Sequence, residues 1–77
     1  MNDLKNEIKQ LCSEIFEISD IKCDESFFDL GIDSMAVAKF VTEIKEKYTD
    51  KIDITDIYEY DTIDLITGYI GELIGAK

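Results

Sequence analysis

Phe27-Phe28-Asp29-Leu30-Gly31-Ile32-Asp33-Ser34-Met35 is the stretch on which the reading of this chain turns. Its first half is an abrupt apolar cluster with no helical or strand period. Its second half opens a run in which Val37, Phe40, Val41, Ile44 and Tyr48 recur at the i, i+3, i+4, i+7, i+11 spacing of a buried helical face. That spacing predicts a helix from Asp33-Ser34 to about Tyr48, with Met35 and Ala38 to one side of the stripe. Gly31, inside the apolar cluster, predicts a backbone angle that other residues resist. A loop of this length in a small domain is usually functional or held by its own side chains, and the two phenylalanines are the expected pins.

Working outward, Leu4, Ile8, Leu11, Cys12, Ile15, Phe16 and Ile18 step by threes and fours, which predicts a helix from Asp3 to about Ile18. A loop spans Ser19 to Asp33, polar at Asp20, Lys22, Asp24 and Glu25. Beyond the second helix, Ile52 and Ile54 alternate with Asp53 and Thr55, and a short helical turn is expected from Asp56 to Tyr60. The last helix is expected after Asp61, with Thr62 as its N-cap and Ile63, Ile66, Ile70, Leu73 and Ile74 as its inner stripe. Gly68 and Gly71 either weaken that helix by up to ~1 kcal/mol each or permit close helix approach. The fold class is therefore all-α: a small four-helix bundle, three helices long and one short, with a long loop between the first two. Phe28, Leu30, Phe40, Val41, Ile44 and Ile63 are the expected core, and Cys12, at the stripe's edge, a small core filler.

Composition narrows the function. The 77 residues make a single domain, 1–77, too small for a deep enzyme cleft with a supporting shell. Eighteen acids oppose eight basic residues, all lysine, for a net charge of −10, so nucleic acid and membrane surfaces are poor partners. Transient, electrostatically steered encounters with basic protein surfaces suit it better, although acidity also simply confers solubility. There is no histidine, hence no Ser-His-Asp relay and no imidazole for zinc. Cys12 and Cys23 are too few for a zinc site and a thin basis for a disulfide framework. The N-terminus does not resemble a signal peptide and no apolar run approaches a membrane span, so a cytoplasmic, monomeric protein with reduced cysteines is expected.

Taken by itself, Asp-Ser before an amphipathic stretch is a helix N-cap. A helix N-terminus also carries about half a positive charge and free N–H groups, and so seats a phosphate well. A serine at the first helical position presents its hydroxyl to that field. With no histidine and only weakly basic carboxylates beside it, Ser34 reads as a substrate of another enzyme rather than a catalyst.

Gly31-x-Asp33-Ser34-Met35, preceded by Phe27-Phe28-Asp29-Leu30, resembles the phosphopantetheine attachment motif of acyl and peptidyl carrier proteins. Ile57-Tyr58-Glu59-Tyr60-Asp61-Thr62-Ile63 is similar to the third-helix region of polyketide and nonribosomal peptide carriers, and the resemblance runs through essentially the whole chain. It implies a non-catalytic carrier with 4'-phosphopantetheine attached covalently to Ser34 by a phosphopantetheinyl transferase. Acyl, aminoacyl or peptidyl groups then ride on the arm as thioesters, passed between loading and downstream synthase enzymes. Asp33, by the same resemblance, helps the transferase position its metal, a role compatible with capping; the chain holds no metal of its own. Met35 is expected to join a docking surface or to pack as a half-buried core residue, and Ile57 and Tyr58 to form its other wall or to pack.

Two departures qualify the resemblance. Residues 34–49 hold Lys39, Lys45 and Lys47 against Glu43 and Glu46, a net of +1 that leaves −11 for the rest of the chain. Fatty-acid-synthase carriers are strongly acidic there. Lys39 should thus weaken docking to partners selected for acidic carriers, which favours a dedicated polyketide or peptide pathway, unless the lysines merely pair with Glu43 and Glu46. Asp61 stands where those carriers usually place proline, a change expected to cost little before a helix start. The alternatives are an unmodified acidic helical adaptor, a fatty-acid or D-alanyl carrier, and a calcium loop at Asp50, Asp53, Asp56 and Asp61. The last fails the EF-hand pattern, which needs glycine at its sixth position where Thr55 stands. Met1 and the short Gly75-Ala76-Lys77 tail favour a free-standing chain.

Overall fold

Caps in the sequence set the helix boundaries of the computed structural model, which describes residues 3–19 and 21–75. Four helices follow in order: α1 Asp3–Phe16, α2 Ser34–Lys47, α3 Ile54–Glu59 and α4 Ile63–Ile74, with no strand among the described residues. The four-helix, all-α expectation holds. Met1, Asp20, Ala76 and Lys77, which entered the sequence reading, lie outside the described residues.

At the start of α2 the Asp33 carboxylate accepts the Ala36 N–H at 2.9 Å. Thr62 does the same for Leu65 at the start of α4, at 3.1 Å, as expected of an N-cap. The short helix begins at Ile54, two residues before the expected Asp56. The reason is a capping box: the Asp53 carboxylate caps the first turn while that of Asp56 accepts the Asp53 N–H at 2.8 Å. Helix α1 stops at Phe16 and not at Ile18. Glu17 turns into the left-handed region at φ 57°, and the Ile18 N–H closes the end on the Ser13 carbonyl at 3.2 Å.

Helix α1 packs on α4 and α2, and α2 also on α3. The Tyr48 hydroxyl at the end of α2 donates to the Glu7 carboxylate near the start of α1 at 2.7 Å, so the two helices run antiparallel. Every buried described residue is apolar. Ile8, Leu11 and Cys12 come from α1, Val37, Phe40, Val41 and Ile44 from α2, Ile57 from α3, and Ile63, Ile66 and Ile70 from α4. The connections add Ile21, Phe27 and Ile52.

The core differs from expectation in register within the loop. Phe27 is the fully buried phenylalanine, whereas Phe28 and Leu30 are only half-buried against the core. The Phe27 N–H donates to the Asp61 carbonyl at 2.8 Å, which fixes which way this residue faces. Its ring lies 5.4 Å from Phe16 and 6.0 Å from Phe40. Phe28 instead stacks on Tyr58 at 5.0 Å. Ile74, at the final residue of α4, is exposed, and Leu73 is half-buried against the core.

Phe27→Ala is therefore expected to cost about 3–5 kcal/mol, a large share of what a domain this size has, and Phe28→Ala distinctly less. Urea unfolding of the two variants checks the order; equal losses would contradict the assignment. Gly68 separates the two roles open to it, since a Cβ built there meets nothing within 4 Å and no close approach needs the glycine. Gly68→Ala should stabilise the protein by up to ~1 kcal/mol, read as a rise of several degrees in melting temperature.

Candidate functional site

Residues 26–32 wind into consecutive turns that deliver the chain to α2. Asp29 and Leu30 donate backbone N–H groups to Ser26, Gly31 to Phe28, and Ile32 to Phe27, at 3.1–3.3 Å. Gly31 makes this possible at φ 81°, the left-handed angle expected of it. The assembly is moored from below by Asp61. Its carbonyl takes the Phe27 N–H, and its carboxylate takes the Ser26 hydroxyl at 2.7 Å. Ser26 in turn accepts the Phe28 N–H at 3.2 Å. Asp64, at the start of α4, adds an N–H to the Cys23 carbonyl at 3.0 Å.

The sequence reading does not single out Ser26, and it gives Asp61 as a tolerated departure before the last helix and as part of a rejected calcium loop, not as a partner for a hydroxyl. The contact joins residues 35 apart in the chain, and nothing local in the sequence marks it. Asp53, Asp56 and Asp61 are thus all engaged in caps or this clasp.

Ser34 is the first residue of α2 and is exposed. Asp33, in extended conformation at φ −91° and ψ 175°, accepts the Ala36 N–H with its carboxylate, and nothing hydrogen-bonds to the Ser34 hydroxyl among the described residues. A phosphodiester there would meet the positive end of a fourteen-residue helix with open solvent around it. The residues fit the group. Cys12, by contrast, is sealed in the core, where burial, reinforced by the nearby Cys23, pushes its thiol up to about 12. It stays protonated and unreactive at neutral pH.

The expected docking residues separate. Met35 is 78% exposed, which excludes the half-buried core role. Lys39 is exposed on α2 and lines a groove together with Met35. Tyr58 is 52% exposed and leans on Phe28, within the segment that leads to Ser34. Ile57 corrects the expectation of a docking wall: it is fully buried, on the inner side of α3, and has no surface to present. Lys47 pairs with Glu43 at 3.8 Å, as a solvated helix face does, whereas no ion pair reaches Lys39 among the described residues.

The profile of the phosphopantetheine attachment site family matches residues 6–70. The chain belongs to that family. Its members carry 4'-phosphopantetheine covalently, and the relatives of this chain include polyketide synthases and malformin synthetases. The carrier domain is 26% identical over 73 residues to polyketide synthase PksN of Bacillus subtilis, covering 95% of this chain and 1% of that protein. Against malformin synthetase mlfA of Aspergillus homomorphus it is 29% identical over 78 residues, covering 94% of this chain and 2% of the other. The chain therefore spans only one or two per cent of the curated relatives it matches. Among solved structures, the HMG-ACPI domain from the CurA module of Lyngbya majuscula superposes with a TM-score of 0.83 at 30% identity, over 92% of this chain and 74% of that one. The fold of this carrier domain is thus that of an acyl carrier domain, as the motif implied.

Loss of the clasp should loosen the carrier's loop. Ser26→Ala and Asp61→Ala are each expected to cost about 1–2 kcal/mol, and the double variant little more than either alone. Fully additive losses in thermal unfolding would show that the two side chains act separately.

Proposed function

We propose that Ser34 is the attachment point of the phosphopantetheine arm and that the described residues belong to one carrier domain, residues 1–77, which does no chemistry of its own. The observation that carries this is an exposed serine hydroxyl at the first position of α2, directly after a capping aspartate, in a chain that matches the attachment-site family over residues 6–70. When bound, the arm supplies a thiol that holds acyl, aminoacyl or peptidyl groups as thioesters. The chain's own residues prepare its seat. Asp33 caps the helix and so keeps Ser34 at its positive end, the 26–32 turns hold the approach rigid, and the solvent around Ser34 leaves room for a second protein.

The first partner is a phosphopantetheinyl transferase, with Asp33 offering it a carboxylate beside the accepting hydroxyl. Loading and downstream synthase enzymes follow, meeting Met35, Lys39 and Tyr58 on the surface flanking Ser34. The resemblance to polyketide and peptide synthases, together with an α2 that carries Lys39 where a strongly acidic helix would serve fatty-acid synthesis, supports a dedicated secondary-metabolite pathway. The protein acts in the cytoplasm, where reducing conditions keep a thiol-bearing arm usable.

Intact mass tests the reading. Recombinant protein treated with a promiscuous transferase, magnesium and coenzyme A should gain one phosphopantetheine, and Ser34→Ala should gain none. Asp33→Asn, which keeps the cap, should be loaded at least about tenfold more slowly, since a lost transition-state contact of about 1.4 kcal/mol has that effect. No mass gain beside an active control carrier would overturn the proposal.

A further inference from the structure

The seam between α1 and α2 is not closed. A groove of about 630 Å³ opens between Leu11 and Ile15 on one side and Met35 and Ala38 on the other. A second, of about 310 Å³, continues it to Tyr48 and shares Leu11 and Glu14 with the first. Together they form one furrow from Met35 to Tyr48, the full length of α2, about 20 Å at 1.5 Å per residue. Leu11 is buried at its floor and Ile15 half-buried, while Met35 and Ala38 stand exposed at one end.

The two walls differ in charge. Helix α1 and its terminus contribute Glu7, Glu14 and Glu17, and no lysine of that helix lines the furrow. Helix α2 contributes Lys39 and Lys47, with Glu43 engaged by Lys47 at 3.8 Å. One wall thus sums to −3 and the other to +1, and they face each other across a floor that is apolar toward Met35, at Leu11, Ile15 and Ala38, and polar toward Tyr48, whose hydroxyl bridges to Glu7 at 2.7 Å. A straight furrow between antiparallel helices has the shape that takes a third helix by its apolar stripe. The charge asymmetry specifies what that helix carries on its edges.

We propose that the α1–α2 furrow is a docking site for an amphipathic helix of a partner protein, about fourteen residues long, basic on the edge facing α1 and acidic on the edge facing Lys39. Its apolar stripe covers Leu11, Ile15, Ala38 and Met35. Because a helix laid stripe-down exchanges its two edges when its direction is reversed, the walls also set the direction in which the partner lies. The site requires the fold but not the modification of Ser34, so it stands or falls separately from the carrier reading.

The test uses a synthetic fourteen-residue helix with leucines at i, i+3, i+7 and i+10, lysines along one edge and glutamates along the other, carrying a spin label at its N-terminus. Titrated into the ¹⁵N-labelled Ser34→Ala chain, it should shift the amides of Leu11, Ile15, Ala38 and Thr42 saturably and broaden one end of the furrow. Exchanging the two charged edges should move the broadening to the other end, between the Met35 and Tyr48 sides. A peptide of the same composition with its charges mixed on both edges should bind at least about tenfold more weakly, which removes simple attraction to a chain of net charge −10 as the cause. Glu14→Lys with Glu17→Lys should abolish the directional preference. Shifts centred on α3 and α4, broadening that ignores the exchange, or equal affinity for the mixed peptide would each overturn the proposal.

Discussion

The backbone bond from Phe27 to the Asp61 carbonyl, with the Phe27 ring seated between Phe16 and Phe40, is the constraint on which the rest of this domain depends. A chain of this length has too little interior to hold a seventeen-residue connection by burial alone. One fully buried ring and one short bond tie that connection to α1, to α2 and to the junction ahead of α4 at once. Everything from Ser26 to Ser34 is then built from local turns on a fixed base. The serine that ends the segment is held at a defined place although its own hydroxyl makes no hydrogen bond among the described residues.

Asp61 illustrates how a departure from a family pattern can be compensated in structure. A proline there would stiffen the approach to α4 through its ring. The aspartate reaches the same end differently, by holding Ser26 with its side chain and Phe27 with its carbonyl. The stacked Phe28–Tyr58 pair, 5.0 Å between centroids, adds a second tie from the same segment to α3. A connection that would otherwise lose much conformational entropy on ordering is thus held from both sides.

The charge of the chain is distributed in a way that its total conceals. Sixteen of the eighteen acids lie outside α2, while α2 carries three exposed lysines, Lys39, Lys45 and Lys47, against two glutamates. A surface of mixed sign discriminates among partners better than a uniformly acidic one, since like charges brought together cost more than rim contacts contribute. The same asymmetry recurs at closer range across the α1–α2 furrow.

The sequence alone determined the helices and the position of Ser34. Periods of three and four residues, Thr62 and Asp33 as caps, and Gly31 as a left-handed turn are local properties, decided by side chains within a few residues of one another. What it did not determine was which of two adjacent phenylalanines faces inward. Alternating side chains in an irregular segment have no period, and only the Asp61 carbonyl, more than thirty residues away, selects Phe27. Whether Ile57 docks or packs was left open for the same reason, because a six-residue helix is too short for its stripe to identify the buried side, and the structure buries it. The extent of α1 was decided by Glu17 adopting an angle that its residue type does not advertise. The furrow, too, belongs to the tertiary structure alone, since its opposed charges come from helices that the sequence holds apart and only antiparallel packing brings face to face.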